Sequence, residues 1–245
     1  EMPALYEEEA LKAQAVAAFT FACLRKAENS SKEYDITDNH KTDQSFITKE
    51  AAKEKWGESY SKYEEKIKAA VKAVSGYMIT YKDKPIVAVY HSISSGKTED
   101  AKDIWGEEFP YLKPVSSEGD KLSKDYITEA QFSAEQIREK LSSDIEFSGE
   151  ESGYFGEIKR TDSGVVKEIS VCGETLTGAR VRTLLDLRSS NFEVKFEDGK
   201  FIFTVYGYGH GVGMSQNGAN YMAKQGSDFK EILTHYYKGC KVEKV

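Results

Sequence analysis

Four glycines at every second position constrain this chain more than any other feature. The stretch GYGHGVGMSQNGA covers residues 207–219, and its glycines alternate with Tyr208, His210 and Val212. Glycine tolerates positive φ and allows another backbone to come close. The spacing departs from the GxGxxG fingerprint of dinucleotide-binding units and lacks the GK[ST] ending of a phosphate loop. Two interpretations remain: a packed turn against a neighbouring chain segment, or a loop whose backbone approaches a substrate.

Composition narrows the function classes. The 245 residues carry 34 basic and 41 acidic side chains, a net charge of −7, which disfavours nucleic acid as a partner. No apolar run exceeds about six residues, well short of a membrane-spanning helix or the apolar core of a signal peptide. The three cysteines are far apart and form no CxxC pair, so a zinc finger or a redox motif is not expected.

The hydrophobic periodicity predicts a mixture of helices and antiparallel hairpins, without the alternation of strand and helix typical of a parallel sheet. We therefore expect the α+β class, with one domain over residues 1–245 that has room for two lobes. Helices are predicted over residues 6–29, 59–74, 133–142, 177–187, 215–225 and 228–237. Strands are predicted in hairpins over residues 77–91 and 192–206 and near residues 153–160 and 165–172, whereas residues 97–120 are expected to form an irregular, aromatic loop.

The first residue, Glu1, stands in the segment EMP just before an alanine-rich helix. The spacing of residues around Glu1 gives it no role beyond that of a chain end. A lone carboxylic acid acts as a general acid near neutral pH when its surroundings keep it protonated, which the sequence does not settle. The chain begins without an initiator methionine, and we expect an anchor or a strand to precede Glu1 in the full-length protein.

Several stretches in fixed order carry a family resemblance. They are EMP…EALKAQAVAAFTF, TDQSF, HSISSGKTEDAKDIWGEEFPYLKPV, LTGARVRTLLDLRSSNFEV and GYGHGVGMSQNGANYMAKQG. Together they resemble the stage II sporulation protein D family, whose superfamily includes modulators of wall amidases. The resemblance spans nearly the whole chain, and its first and last stretches are the most specific.

The resemblance implies a lytic transglycosylase that acts on peptidoglycan during spore engulfment, with two lobes around a glycan-binding cleft. Such an enzyme cleaves the β-1,4 bond between N-acetylmuramic acid and N-acetylglucosamine in strands stripped of stem peptides, and leaves a 1,6-anhydro end. The family's catalytic acid corresponds to Glu1. One carboxyl group suffices, because the muramic 6-hydroxyl replaces the second carboxylate of ordinary glycosidases.

The resemblance also implies substrate-binding residues. Ser94, Ser95 and Thr98 of SISSGKT and Tyr111 of FPYLKPV resemble residues that hold glycan, although turn capping and core filling are the alternatives for these types. His210 and Gln216 belong to the last stretch and are expected to contact substrate or to orient Glu1. His91 and His235 are expected to be structural.

The family resemblance also leads to expectations about cofactors and partners. Some members of the family hold zinc through cysteines and a histidine after the first helix. Here that loop offers His40 and Asp43 but no cysteine, so no metal or other cofactor is expected. The implied partners are glycan strands, the amidase stage II sporulation protein P and the membrane protein stage II sporulation protein M. The implied location is extracytoplasmic, in the septal space between mother cell and forespore, with the full-length protein anchored in the membrane.

A second function stays open. Modulators of wall amidases share these motifs, so the chain could bind glycan and activate an amidase without cleaving anything. Retention of amidase stimulation after loss of the Glu1 carboxyl would separate this activity from catalysis.

Overall fold

The computed structural model describes residues 1–39 and 42–245, which form two compact units. The first unit comprises residues 1–90 and 219–245, and the second comprises residues 91–218. Both units combine helices with small antiparallel sheets, which confirms the expected α+β class.

The helices, in chain order, are α1 Glu8–Glu28, α2 Lys49–Trp56, α3 Tyr60–Ala73, α4 Ala101–Trp105, α5 Ala134–Leu141, α6 Gly178–Leu185, α7 Gln216–Lys224 and α8 Phe229–Tyr236. The strands are β1 Tyr77–Tyr81, β2 Lys84–Pro85, β3 Tyr90–His91, β4 Ile127–Ser133, β5 Phe155–Arg160, β6 Val166–Val171, β7 Glu174–Thr177, β8 Phe192–Glu197, β9 Lys200–Tyr206, β10 Met214–Ser215 and β11 Lys241–Lys244.

In the first unit, α1 lies on a three-stranded antiparallel sheet with the strand order β11-β1-β2. Its buried face is rich in alanine, so the sheet and α8 can approach closely. Thr20 ties the two layers together: its hydroxyl donates to the Val16 carbonyl and accepts a 3.0 Å hydrogen bond from the Ile79 N–H. The predicted α1, α3, α7 and α8 are confirmed within about two residues, the ordinary uncertainty of helix ends.

The second unit is built on two three-stranded antiparallel sheets, ordered β4-β9-β8 and β5-β6-β7. Aliphatic and aromatic side chains from both sheets share one core with α5 and α6, and Phe192, Phe201 and Phe203 are almost fully buried in it. Local signals begin both helices. Ser133 forms a capping box with Gln136, and the Thr177 side chain accepts the Arg180 N–H.

Two sequence predictions about these elements are wrong, and some elements were not predicted. The first hairpin does not extend to residue 91 as a continuous pair, because β2 ends at Pro85, which has no N–H to donate to a ladder. Residues 97–120 are not wholly irregular, since Asp100 caps α4. Strand β4 was not predicted, because its sequence ITEAQFS has little hydrophobic alternation and its pairing with β9 depends on a distant segment.

No helix in residues 1–39 or 42–245 is long and apolar enough to cross a membrane.

Candidate functional site

The Glu1 carboxyl group is held by side chains that are remote in sequence. Ser45, 44 positions away, donates both its backbone N–H and its hydroxyl to Oε1 at 2.8 Å. Tyr90, 89 positions away, donates its hydroxyl to Oε2. Both carboxyl oxygens therefore have donors from the first unit, and these donors fix the orientation of the carboxyl group. Glu1 is nevertheless an exposed residue.

Tyr90 is a donor that stays protonated. Burial, followed by the negative charge of Glu1 and the hydrogen bond to it, raises the pKa of Tyr90 above its usual range. The hydroxyl therefore remains neutral at any physiological pH and keeps its hydrogen atom for Glu1. Ser45 belongs to the stretch TDQSF, whose resemblance to the family implies no role for this serine, and no sequence pattern singles out Tyr90.

The loop that carries Ser45 is attached to α1 by polar contacts. The Gln44 side chain donates to the Ala18 carbonyl at 3.2 Å. The Asp43 carboxylate accepts hydrogen bonds from the Thr37 N–H and hydroxyl and forms an ion pair with Arg25 at 3.3 Å. These contacts fix the residues next to Ser45, so the loop presents its donors to Glu1 in a defined place.

Asp43 is one of the two metal-binding residue types that the loop after the first helix offers. The other, His40, lies outside the residues that the structure describes. Within the described ranges, no three His, Cys, Asp or Glu side chains converge in a way that could hold a metal ion.

In the second unit, the alternating glycines run against the segment that begins at His91. The four glycines at positions 207, 209, 211 and 213 all have positive φ. Tyr208 and Ile93 exchange backbone hydrogen bonds of 2.7 and 3.0 Å, and the Glu99 N–H donates to the Gly211 carbonyl at 2.8 Å. The two segments are therefore joined backbone to backbone.

Side chains at three of these glycine positions would collide with that neighbour. A Cβ atom would stand 2.7 Å from the Ile93 carbonyl at Gly207, 2.7 Å from the His91 Cβ at Gly209, and 2.9 Å from the Glu99 Cγ at Gly211. The alternation is thus explained by close approach to a neighbouring chain segment, one of the two interpretations left open by the sequence. A contact with substrate is not needed to account for the glycines.

His210 stands in a row of three aromatic rings. Its ring centroid lies 5.6 Å from that of His91 and 5.2 Å from that of Trp105. Its Nδ1 accepts the Val212 N–H at 3.1 Å, which places the ring proton on Nε2. His210 is half-buried and Trp105 is 42% exposed, so this row reaches from the interior of the unit to solvent.

His91 is packed, as predicted for a structural histidine. It is buried, and its Nδ1 lies 3.1 Å from the Val212 carbonyl. Burial lowers the pKa of His91 to about 4, so the ring is neutral and donates from Nδ1. Its role is to hold the glycine loop in place from within.

Asp120 links the stretch around Ser94 to the stretch around Ser215. Its Oδ2 accepts the Ser94 N–H and hydroxyl at 2.9 and 2.5 Å, and its Oδ1 accepts the Ser215 hydroxyl at 2.8 Å. Burial raises the pKa of Asp120, although these hydrogen bonds oppose the shift. Sequence reasoning missed this residue, because nothing near it in the chain signals a buried acid.

The other predicted residues of this unit differ in exposure. Ser95 lies at the surface of a pocket and donates to the Ser163 carbonyl at 3.0 Å. Thr98 is buried, and its hydroxyl accepts the Val115 N–H at 2.9 Å. Tyr111 and Gln216 are buried as well. Contact of these residues with glycan, and a role of His210 beside Glu1, stay predictions.

The structure is thus an α+β protein in which hydrogen bonds orient the Glu1 carboxyl group. In its second unit, backbone hydrogen bonds join the glycine loop to the segment that begins at His91. Comparison with known proteins agrees with the resemblance. The family profile described as Stage II sporulation protein matches residues 1–81. Stage II sporulation protein D of Bacillus amyloliquefaciens is 39% identical, over 99% of this chain and 70% of its own length.

Stage II sporulation protein D of Bacillus subtilis is 38% identical, over 99% of this chain and 71% of its own length. The chain therefore belongs to the stage II sporulation protein D family. The protein named Amidase enhancer from Bacillus subtilis is also related, at 27% identity over 98% of this chain and 38% of that protein.

Proposed function

We propose that the protein is a lytic transglycosylase that cleaves the bond between N-acetylmuramic acid and N-acetylglucosamine in peptidoglycan. The observation that carries the proposal is the Glu1 carboxyl group, which three donors from Ser45 and Tyr90 hold in one orientation while it remains exposed. A catalytic acid must be positioned by surrounding groups before it can transfer a proton efficiently.

The reaction needs one carboxyl group in two roles. The protonated Glu1 gives its proton to the glycosidic oxygen, and the bond from that oxygen to C1 breaks with its electron pair going to the leaving N-acetylglucosamine. The resulting carboxylate takes the proton of the muramic 6-hydroxyl, whose oxygen forms a bond to C1 and closes the 1,6-anhydro ring. No water is consumed, and Glu1 is protonated again at the end.

The test uses glycan strands free of stem peptides, with the products read by mass spectrometry. We expect 1,6-anhydro ends from the wild type and a loss of at least about 100-fold in Glu1→Gln, the usual contribution of a general acid. Glu7→Gln is the matched control, because Glu7 is an exposed carboxylate in the same segment. Unchanged product formation in Glu1→Gln would refute the proposal.

A second function is supported by the relationship to the Amidase enhancer, which extends over 98% of this chain. In this alternative the protein binds glycan and activates a wall amidase without cleaving the strand. The measurement is amidase turnover on purified cell walls with wild type and Glu1→Ala. Equal stimulation by both, together with no anhydro ends, would favour the activator over the enzyme.

The remaining parts of the proposal concern setting and partners. We place the protein outside the cytoplasm, in the septal space during engulfment, with stage II sporulation proteins P and M as partners. The family relationship to sporulation proteins supports this setting. Co-purification of the three proteins from sporulating cells, with and without crosslinking, tests the partners.

A further inference from the structure

A small pocket opens in the second unit beside the glycine loop. It offers about 10 Å³ of room, which is enough for one group the size of a water molecule, such as a hydroxyl, but not for a sugar ring. Its walls are mostly neutral and polar and include Ser95, Ser189, Asn191, His210 and Glu99.

Glu99 is the acidic group of this pocket, and it is only 2% exposed. Its backbone N–H is bound to the Gly211 carbonyl, and the absence of a side chain at Gly211 leaves room for its Cγ. Among the described residues, no hydrogen-bond partner reaches its Oε1. The carboxyl group is thus fixed by the fold with one oxygen unsatisfied.

Asp120, the other buried acid described in this unit, differs from Glu99 in this respect. Both oxygens of the buried Asp120 accept hydrogen bonds from serine side chains. A buried polar atom without a partner is costly, and native proteins rarely keep one unless a ligand or an ordered water completes it. Glu99 is thus as buried as a core residue, yet its Oε1 lacks the hydrogen-bond partner that such burial normally requires.

The charge at Glu99 is set by several neighbours. Burial raises the pKa of Glu99 to about 7, and Asp103 of α4 adds to this by repulsion. A hydrogen bond from the Thr161 side chain, the charge of Lys97 and a hydrogen bond from the Ser163 side chain oppose the shift. His210, from the glycine loop, also lines the pocket. The carboxyl group is therefore largely neutral below pH 7 and can donate a hydrogen bond as well as accept one.

We propose that Glu99 recognises one neutral polar group of the glycan, a hydroxyl or the carbonyl end of an acetamido group, whose oxygen enters this pocket and pairs with Oε1. The inference rests on the proposed function only in naming a sugar as the ligand. The hydroxyl and acetamido groups of such a sugar are uncharged, and they offer both hydrogen-bond donors and acceptors. Glu99 acts in binding and positioning, because it is not assigned any bond-making step.

The experiment measures binding by calorimetry in protein that carries Glu1→Gln, so that turnover does not interfere. The probes are tri-N-acetylchitotriose and cellotriose, which share the hydroxyl groups but differ in the acetamido group. Glu99→Leu should weaken binding by about tenfold, the value of one hydrogen bond to a buried group. A loss with both sugars assigns the pocket to a hydroxyl, and a loss with the N-acetylated sugar alone assigns it to the acetamido group.

A second variant makes the test independent of packing. Glu99→Gln keeps a neutral group of the same size, so it should bind within about threefold of its parent at pH 6. The parent should lose affinity as the pH rises through about 7, whereas Glu99→Gln should not. Both proteins contain His210, so the comparison differs only in the group at position 99. Glu107→Gln is the matched control, because Glu107 is exposed.

Three outcomes would overturn the inference. These are equal affinity of parent and Glu99→Leu, identical pH profiles of parent and Glu99→Gln, and no binding of either sugar at up to about 10 mM. None of them bears on the release of anhydro ends by protein with an intact Glu1. Failure of the inference is therefore distinguishable from failure of the proposed function.

Discussion

Replacement of Glu99 by glutamine should change how the stability of the second unit depends on pH. Glu99 is buried, with a pKa of about 7 instead of the 4.5 of an exposed glutamate. The folded state therefore holds a proton that the unfolded chain has already released at pH 6. Glutamine has the same size and hydrogen-bonding groups but does not titrate, so it isolates this one ionisation.

The sign follows from the direction of the shift. A raised carboxyl pKa gives stability that is fully present below pH 4.5 and is lost as the pH rises to about 7. At about 1.4 kcal/mol per pKa unit, ionisation of Glu99 costs the folded state roughly 3 kcal/mol. Relative to Glu99→Gln, the wild type should lose about this much free energy of unfolding between pH 4 and pH 8.

Urea unfolding at a series of pH values provides the assay. The chain has two tryptophans, and a Trp56→Phe background leaves Trp105 as the fluorescent reporter of the second unit. Glu107→Gln serves as the control, because an exposed glutamate should show no such dependence on pH. A difference between wild type and Glu99→Gln that stays constant within about 0.5 kcal/mol across this range would refute the reasoning.

Three further changes probe the same two units. Tyr90→Phe removes the donor to Glu1 Oε2. It should lower the turnover of glycan strands about tenfold with little loss of stability. An unchanged kcat would contradict this. Asp120→Ala should cost about 3 kcal/mol or more in urea unfolding, because buried donors lose their acceptor, whereas Asp120→Asn should cost less. Gly209→Ala should destabilise more than Gly173→Ala in thermal unfolding: both have positive φ, but only the first would collide with another chain segment.

Periodicity and capping residues predicted most of the regular structure. A helix such as α5 is specified locally, by Ser133 at its start and by an apolar face of three residues, so its bounds could be foreseen. Some short elements were not predicted from the sequence. Helix α4 has five residues and strand β7 has four, which is too little sequence for a period to emerge.

The glycine loop shows which structural features a motif predicts without knowledge of the fold. Its spacing excluded a phosphate loop and predicted a close backbone approach, and both conclusions needed only the residue types. The identity of the approaching segment was beyond local reasoning, since residues 91–99 lie more than a hundred positions earlier in the chain.

The sequence by itself determined the fold class, most helices, the glycine constraint and, by resemblance, the family; it also predicts, by that resemblance, that Glu1 is the catalytic acid. Only the tertiary structure decided which groups surround the acids. Ser45 and Tyr90 reach Glu1 from 44 and 89 positions away, and Ser215 reaches Asp120 from 95. Burial and hydrogen bonding depend on such distant neighbours rather than on local pattern. That is why Asp120 is satisfied, why Glu99 is not, and why neither could be singled out from the sequence.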